Sequence, residues 1–219
     1  MPKPRVVVFS TMTVDGRIAS RTRFSQLSCP HDLRRLHELR ASSDAVMVGA
    51  NTVIIDDPSL RLKYVEGRNP DRIVVDGLLR TPLSARVYTL KTAKTIVLTT
   101  EEAPRDKVEK LLEMGVEVIY AARSPPIDMG HAMEILWSKG YRALMVEGGG
   151  ELLWHLFKAN VVDELRVTIS PYIFGGRSSV SLVMGEGFST TEDARKLKLK
   201  SVEVCECGLE VHLRYDVVG

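Results

Sequence analysis

The segment that most constrains the fold of this chain is 143–159, which reads ALMVEGGGELLWHLFKA. An apolar run leads into consecutive glycines, after which apolar residues recur at helical spacing: Leu152, Leu153, Leu156 and Phe157. The pattern predicts a buried strand, a tight turn and an amphipathic helix. Glycine lets a backbone come close to a ligand, and the N–H groups at a helix start favour an anion. The segment therefore suggests a seat for the diphosphate of a nucleotide cofactor, although many such turns are only tight connections.

Strand and helix patterns alternate along most of the remaining chain. We predict strands at 5–10, 45–48, 72–75, 95–98, 116–120 and 164–170, and helices at 28–42, 50–56, 105–114 and 128–139. A polar turn is expected at 11–16, and Ser28 is expected to cap the first helix. Two alternating strands, 197–205 and 209–216, flank Gly208 as a plausible antiparallel pair. The order predicts an α/β fold with a mainly parallel central sheet, antiparallel C-terminal strands and helices on both faces. We expect one domain over 1–219.

Charge and cysteine content limit the classes of partner. A net charge of +2 is too small to indicate nucleic acid or a membrane surface, so anion recognition must be local. Cys29, Cys205 and Cys207 do not complete a zinc spacing with any histidine, which predicts no metal site and buried or half-buried thiols in a reducing compartment. No signal peptide or membrane span is recognisable, and we expect a cytoplasmic protein.

Small or polar residues follow the predicted strands at three turns, 49–52, 76–77 and 148–150. In open parallel sheets, ligands bind in the crevice outside the carboxyl ends of the strands. Each turn alone is most simply a solvated connection, but their convergence favours a nucleotide site. The sequence has no Ser-His-Asp order, no H-E-x-x-H motif and no P-loop. This scarcity of acid–base groups fits a reaction in which a cofactor supplies the chemistry, and hydride transfer is the obvious case.

Ordered motifs extend the evidence over nearly the whole chain. They lie at 12–16 (MTVDG), 40–41 (RA), 48–52 (VGANT), 56–60 (DDPSL), 72–76 (RIVVD), 146–150 (VEGGG) and 173–176 (IFGG). With them the chain resembles the riboflavin-pathway reductase family, whose fold is similar to that of dihydrofolate reductase.

The resemblance implies a specific reaction. It implies NADPH-dependent reduction of a ribosylaminopyrimidine 5′-phosphate to its ribitylamino form, with hydride delivered to C1′ of the sugar. Some members carry a fused zinc deaminase with H-x-E and P-C-x-x-C motifs, and this chain has neither. It is most similar to the stand-alone archaeal and fungal type, which makes 2,5-diamino-6-ribosylamino-4(3H)-pyrimidinone 5′-phosphate the expected substrate.

The resemblance also implies cofactor contacts at matching positions. The backbone of Thr11 or Met12 would lie beside the nicotinamide. The other positions are Thr52 and Asp56, the adenosine-side turn Asp76 and Gly77, and the diphosphate seat, made of Gly148, Gly149, Gly150, Glu151 and Leu152. Members of the family often carry serine where Gly77 stands, so NADH is an alternative to NADPH, although Arg80 offers a cation.

For the substrate, the resemblance implies that Glu147 accepts hydrogen bonds from the base and aids catalysis. Arg40, Lys63 and the backbone of Leu60 match positions near the substrate and its phosphate. Weaker candidates are Ser25 for binding and Asp15 as a proton donor, a role that water or the substrate phosphate could also fill. Asp15 is equally explained as a turn residue.

Alternatives remain open at this stage. The deaminated substrate, 5-amino-6-(5-phosphoribosylamino)uracil, is one, and a dihydrofolate reductase-like enzyme for another pterin is a second. A non-catalytic nucleotide-binding module is a third. The family also implies a homodimer, for which 197–205 and 209–216 are candidate interface strands, as is 164–170.

Overall fold

A computed structural model describes residues 2–218 of the chain. Its strands are Arg5–Thr13 (β1), Arg17–Ala19 (β2), Ala45–Gly49 (β3), Asp71–Val75 (β4), Thr95–Thr100 (β5), Glu117–Ala122 (β6), Ala143–Val146 (β7), Glu164–Ser170 (β8), Val180–Ser181 (β9), Lys196–Val204 (β10) and Val211–Val218 (β11). Its helices are Pro30–Ala41 (α1), Ala50–Asp56 (α2), Arg86–Thr89 (α3), Arg105–Glu113 (α4), Met129–Ser138 (α5) and Gly150–Lys158 (α6).

One nine-stranded sheet dominates the described residues, in the order β10-β11-β8-β1-β7-β3-β4-β5-β6. Every pair from β8 to β6 is parallel, whereas β11 runs antiparallel to both β8 and β10. The predicted parallel centre and antiparallel C-terminal strands are therefore confirmed. No helix within 2–218 is long and apolar enough to cross a membrane.

Two apolar layers hold helices on opposite faces of this sheet. Alternate strand residues such as Val6 and Val8 pack with buried residues of α5 and α6. Their neighbours Val7 and Phe9 point the other way and pack with residues of α1, α2 and α4. The period of two explains this division, because successive strand side chains face opposite sides.

The structure corrects the predicted end of β1. The sequence predicted a turn from Thr11, but β1 continues to Thr13 because its last residues stay paired with β8, in the register Thr11↔Thr168 to Thr13↔Ser170. Long-range pairing with a parallel neighbour satisfies these backbone groups, which local sequence cannot reveal.

Three short elements were not predicted, and one helix cap was wrong. β2, β9 and α3 span only two to four residues each, too few to show a period. The predicted serine cap of α1 is replaced by Cys29, whose side chain makes no capping bond. The Ser28 hydroxyl instead lies 2.8 Å from the Thr11 hydroxyl.

Candidate active site

A cleft of about 1260 Å³ lies where β1, β3, β4 and β7 end. Its floor includes Thr11, Gly49, Asp76 and Glu147, each at the carboxyl end of one of these strands or directly after it. This is the crevice that ligands occupy in open parallel sheets. Pockets for one small ligand span roughly 300–1,000 Å³, so the volume has room for a nucleotide and a second small molecule.

The start of α6 forms one wall of the cleft. Gly149 is the N-cap, with no side-chain capping bond, and Gly150, Glu151 and Leu152 form the first turn. All four residues line the cleft. The N–H groups of a first helical turn have no carbonyl partner within the helix, and the helix dipole adds positive potential there. This wall can bind an anion such as a diphosphate.

The consecutive glycines serve different needs. Gly148 has a φ of +99°, a conformation that other residues rarely adopt. A Cβ on Gly150 would lie 2.7 Å from both Met184 Cγ and the Ser181 carbonyl oxygen. A Cβ on Gly149 would meet the Thr52 hydroxyl oxygen at 3.4 Å. Part of the glycine pattern is therefore explained by packing within the protein.

Glu147 is held by Arg40 at the edge of the cleft. Arg40 donates from Nε and Nη2 to the two Glu147 carboxylate oxygens, at 2.5 and 2.6 Å, and from Nη1 to the Arg61 carbonyl oxygen at 3.0 Å. The two side chains are only 9% and 12% exposed. Glu147 lines the cleft, whereas Arg40 is not among its lining residues. The Arg40 guanidinium is thus engaged within the protein, whereas the family resemblance implied a position near the substrate and its phosphate.

The segment after α2 supplies the next part of the wall. Leu60 lines the cleft with a φ of +52°, while its side chain is buried. Lys63 is exposed and does not line the cleft, and its backbone N–H donates to His37 Nδ1 at 3.1 Å. Burial lowers the pKa of His37 to about 4, and the charge of Arg40 acts in the same direction. His37 is therefore a neutral acceptor near pH 7.

Ser25, Thr52 and Asp56 all line the cleft, and we refer to these three residues as its rim. The Ser25 hydroxyl donates to Asp56 Oδ1 over 3.4 Å. Asp56 is exposed at the surface, yet partial desolvation in the cleft raises its pKa, against the opposing effect of the Ser25 hydrogen bond. The rim offers hydroxyl groups and one carboxyl group to a bound ligand.

Asp76 and Gly77 line the cleft beyond β4. Asp76 is 2% exposed, and its Oδ2 accepts the Thr81 N–H at 2.8 Å, so this carboxylate also organises its own turn. Arg80 lines the same region and donates to Asn51 Oδ1 at 3.0 Å. Arg80 is therefore an exposed cation close to the Asp76–Gly77 turn at this end of the cleft.

Of the three N-terminal candidates, Thr11, Met12 and Asp15, only the first lines the cleft. Thr11 lines the cleft, but its hydroxyl donates to Asp32 Oδ2 at 2.6 Å and its place in β1 is paired with Thr168 of β8. Met12 does not line the cleft and packs against the core. Asp15 also lies outside the cleft lining.

Asp15 is held as part of a loop. The Thr13 hydroxyl and the backbone N–H groups of Phe174 and Gly175 donate to its carboxylate. The Thr13 hydrogen bond is the main cause that lowers the pKa of Asp15 to about 2. A carboxylate with this pKa is a poor proton donor near neutral pH, so the structure favours the turn-making reading of this residue.

Several cleft residues were missed from the sequence. These are Arg23, Gln26, Tyr64, Pro125, Pro126, His155 and Met184. The Pro-Pro pair could have been found, because it marks a turn after β6 at the edge where the other strands end. Met184 carries no such pattern, since the loop that contains it reaches the cleft only through tertiary packing against Gly150.

The model of the "RibD C-terminal domain" family matches residues 4–213 of the chain. The chain belongs to this family. A curated RibD-family relative from Methanothermobacter thermautotrophicus is 42% identical over 99% of this chain and 100% of its own length. That relative is named 2,5-diamino-6-ribosylamino-4(3H)-pyrimidinone 5′-phosphate reductase. The predicted family resemblance is confirmed.

Solved structures confirm the RibD-type fold. A diaminohydroxyphosphoribosylaminopyrimidine deaminase/5-amino-6-(5-phosphoribosylamino)uracil reductase from Thermotoga maritima aligns with a TM-score of 0.79 and 27% identity, over 99% of this chain and 57% of that one. The chain spans little more than half of that protein. Dihydrofolate reductase from Enterococcus faecalis aligns with a TM-score of 0.51 and 13% identity, over 98% of this chain and 97% of that one. The predicted dihydrofolate reductase-like architecture is confirmed.

Proposed function

We propose that the chain reduces 2,5-diamino-6-ribosylamino-4(3H)-pyrimidinone 5′-phosphate to its ribitylamino form in riboflavin biosynthesis, as a single reductase domain with NADPH as the hydride donor. The assignment of this substrate is supported by the 42% identity, over full length, with a reductase that is named for the same compound. The names of the relatives also confirm the predicted class, an oxidoreductase.

The reaction needs positioning more than protein acid–base groups. A bound dinucleotide would supply the hydride for reduction at C1′ of the opened, imine form of the sugar, and the imine nitrogen would take a proton. The first turn of α6 and the glycines before it would hold the diphosphate. Thr52, Asp56 and the turn Asp76–Gly77 form the rest of the cofactor side in this proposal.

Glu147 would orient the substrate base by accepting its N–H groups. Each carboxylate oxygen has a second lone pair besides the one used by Arg40. Arg40 is then a positioning residue, because its guanidinium is already shared between Glu147 and the Arg61 carbonyl. Leu60 and Ser25 line the same space, and the exposed Lys63 remains the proposed cation for the phosphate.

The proton would come from water or from the substrate phosphate. Asp15 lies outside the cleft lining, and its low pKa keeps it ionised, so it is not part of the proposed machinery. Asp56 lies at the rim, and its raised pKa reflects partial desolvation. Asp56 is a cofactor contact in this proposal.

The decisive experiment is a turnover assay that combines both pyrimidine phosphates with both nicotinamide cofactors. We expect the diamino substrate with NADPH to give the highest kcat/KM. Faster turnover of the uracil substrate would favour the second candidate, which is supported by the similarity to the Thermotoga maritima protein. Tight NADPH binding without turnover of either substrate would overturn the proposed reaction in favour of a non-catalytic nucleotide-binding protein.

We also propose a homodimer in the cytoplasm, with β10 and β11 at its interface. Strand β10 lies at the edge of the sheet and exposes apolar side chains, among them Leu199, Val202 and Val204. An exposed apolar edge strand is an association surface that natural proteins usually cover. Light scattering should give twice the chain mass, and Val202→Lys should shift it towards the monomer.

A further inference from the structure

Three cysteines and one glutamate meet between the start of α1 and the turn that joins β10 to β11. Cys29 caps α1, whereas Cys205, Cys207 and Glu210 all belong to the turn. Their ligand atoms, one from each residue, all lie within 4.8 Å of one another. Sequence spacing could not show this cluster, because the two segments are 176 residues apart. The cluster is not part of the cleft lining.

The spacing of the sulfur atoms fits tetrahedral zinc. The Sγ atoms of Cys29 and Cys205 are 3.6 Å apart. A Zn–S bond of about 2.3 Å places two tetrahedral thiolates roughly 3.8 Å apart, so little movement is needed. Cys205 is buried, while Cys29 and Cys207 are partly exposed and give an ion a route from solvent.

The carboxylate of Glu210 provides independent evidence that this cluster binds a ligand. The residue is 2% exposed, and its Oε1 accepts the Cys29 backbone N–H at 2.8 Å. Its Oε2 is buried and has no hydrogen-bond partner within residues 2–218. A buried carboxylate oxygen without a partner is costly, and such atoms in native proteins call for an explanation. The unsatisfied oxygen belongs to the same carboxylate that lies beside the thiols.

A neighbouring cluster of Asp32, Glu210 and His212 does not compete as a site. The Asp32 oxygens accept hydrogen bonds from Thr11 and Thr168, each at 2.6 Å. His212 Nδ1 lies 2.9 Å from the Thr168 hydroxyl. The ligand atoms of Asp32 and His212 are therefore already used by side chains outside a metal site, whereas the hydrogen bond between the sulfur atoms of Cys29 and Cys205 lies inside the cysteine cluster.

We propose that Cys29, Cys205, Cys207 and Glu210 bind one zinc ion. Four protein ligands leave no open position, which is typical of structural rather than catalytic zinc. The ion would tie the β10–β11 turn to the start of α1. Each thiol must release its proton to solvent when it binds the metal. The affinity for zinc should therefore increase with pH.

Metal titration of the full chain tests the proposal directly. Reduced, metal-free protein is titrated with Zn²⁺, and with Co²⁺ as a spectroscopic probe. We expect one equivalent to bind, with Co²⁺ giving thiolate charge-transfer bands and the visible bands of a tetrahedral ion. Cys207→Ser should weaken binding by more than about 100-fold, and Glu210→Gln by at least about tenfold.

Glu206→Gln is the matched control. Glu206 lies in the same turn, but its carboxylate is 83% exposed and contacts His31, so this variant should bind zinc like the parent chain. Circular dichroism establishes that each variant is folded. One equivalent of Zn²⁺ should also raise the Tm of the parent and of Glu206→Gln but not of Cys207→Ser.

Three outcomes would overturn the site. The first is the absence of a bound equivalent at micromolar Zn²⁺ in fully reduced protein. The second is equal affinity in Cys207→Ser and the parent chain. The third is equal affinity in Glu210→Gln and Glu206→Gln, which would remove the carboxylate from the ligand set.

Discussion

Arg40 and Glu147 form a two-point ion pair that joins the end of α1 to the residue after β7, at the wall of the cleft. A planar guanidinium fixes a carboxylate in orientation as well as in position. Since the Arg61 carbonyl holds the third guanidinium nitrogen, the pair is anchored on both sides. The geometry makes Glu147 a preorganised acceptor that faces the cleft.

Glu147→Gln should reduce kcat/KM for the pyrimidine phosphate by about 100-fold, because loss of orientation at the reacting centre costs about that much. An amide keeps one acceptor oxygen but presents N–H groups to Arg40. The free energy of unfolding should therefore fall by roughly 1.5–3 kcal/mol. Steady-state kinetics and denaturant titration measure the two effects.

The matched control for this substitution is Glu38→Gln. Glu38 also pairs with an arginine, Arg34, but the pair is exposed on α1 and outside the cleft lining. Its removal should change neither kcat/KM nor stability by a measurable amount. Unchanged kcat and KM in Glu147→Gln would refute the role given to Glu147.

Arg40→Lys separates positioning from direct substrate binding. Lysine keeps the charge but lacks the fork, so Glu147 becomes free to rotate and kcat/KM should fall roughly tenfold. If Arg40 acts only through Glu147, adding Arg40→Lys to Glu147→Gln should cause little further loss of kcat/KM. Additive losses, together with a raised KM in both backgrounds, would instead indicate a direct contact with the substrate phosphate.

The sequence predicted most of the sheet, because continuous apolar runs and glycine stops are local features. It also predicted that turns at 49–52, 76–77 and 148–150 would converge, and all three contribute to the cleft lining. It could not predict that the Arg40 guanidinium would form an ion pair with Glu147, because the two residues are 107 positions apart. Pairing between distant side chains depends on tertiary distances that no local pattern contains.

The glycines also show that a local pattern does not reveal tertiary neighbours. The sequence assigned the glycines at 148–150 to a cofactor, yet the missing Cβ of Gly150 is required by Ser181 and Met184, whose loop showed no pattern. Gly185 was not singled out at all, although a Cβ there would lie 2.1 Å from the Trp154 ring. A motif can therefore indicate that glycine is needed without revealing which neighbour requires it.

Gly150→Ala should destabilise the protein even without any ligand. The new methyl group would press on the Ser181 carbonyl, which belongs to backbone and cannot rotate away. Overpacking of this kind costs about 1–3 kcal/mol, which lowers the Tm by roughly 2–12 °C at this chain length. The control Gly130→Ala adds a methyl group to α5, where only the Asp128 carboxylate is near. Equal Tm values for these two variants would contradict the packing argument.

The buried carboxylate of Glu164 connects three strands through ion pairs with arginines. It accepts hydrogen bonds from Arg5 on β1, from Arg166 on β8 and from Arg214 on β11. Burial alone would raise the pKa of Glu164, but the hydrogen bonds and charge of these arginines outweigh it and hold the pKa at about 2. The folded protein therefore favours the ionised carboxylate more strongly than the unfolded chain does.

The sign of this shift sets a pH dependence of stability. A folded-state pKa below the unfolded value of about 4.3 contributes stability that is complete above that value and is lost as the pH falls towards 2. Glu164→Gln should cost roughly 1.5–3 kcal/mol at pH 7, and the cost should shrink progressively between about pH 4 and pH 2. Urea titrations of both proteins across this range provide the measurement. A cost independent of pH would show that the charge of Glu164 is unimportant.

Arg80→Gln should impair the use of NADPH without affecting NADH. Arg80 is exposed in the cleft beside the Asp76–Gly77 turn, where a cation can meet the 2′-phosphate that only NADPH carries. A charge-assisted contact of about 1.4 kcal/mol corresponds to a tenfold increase in KM for NADPH. Arg123→Gln removes another exposed arginine, which lies outside the cleft lining, and should leave both KM values unchanged. An equal rise for both cofactors would mean that Arg80 contacts a group the two dinucleotides share, and the discrimination would then have to arise elsewhere in the cleft.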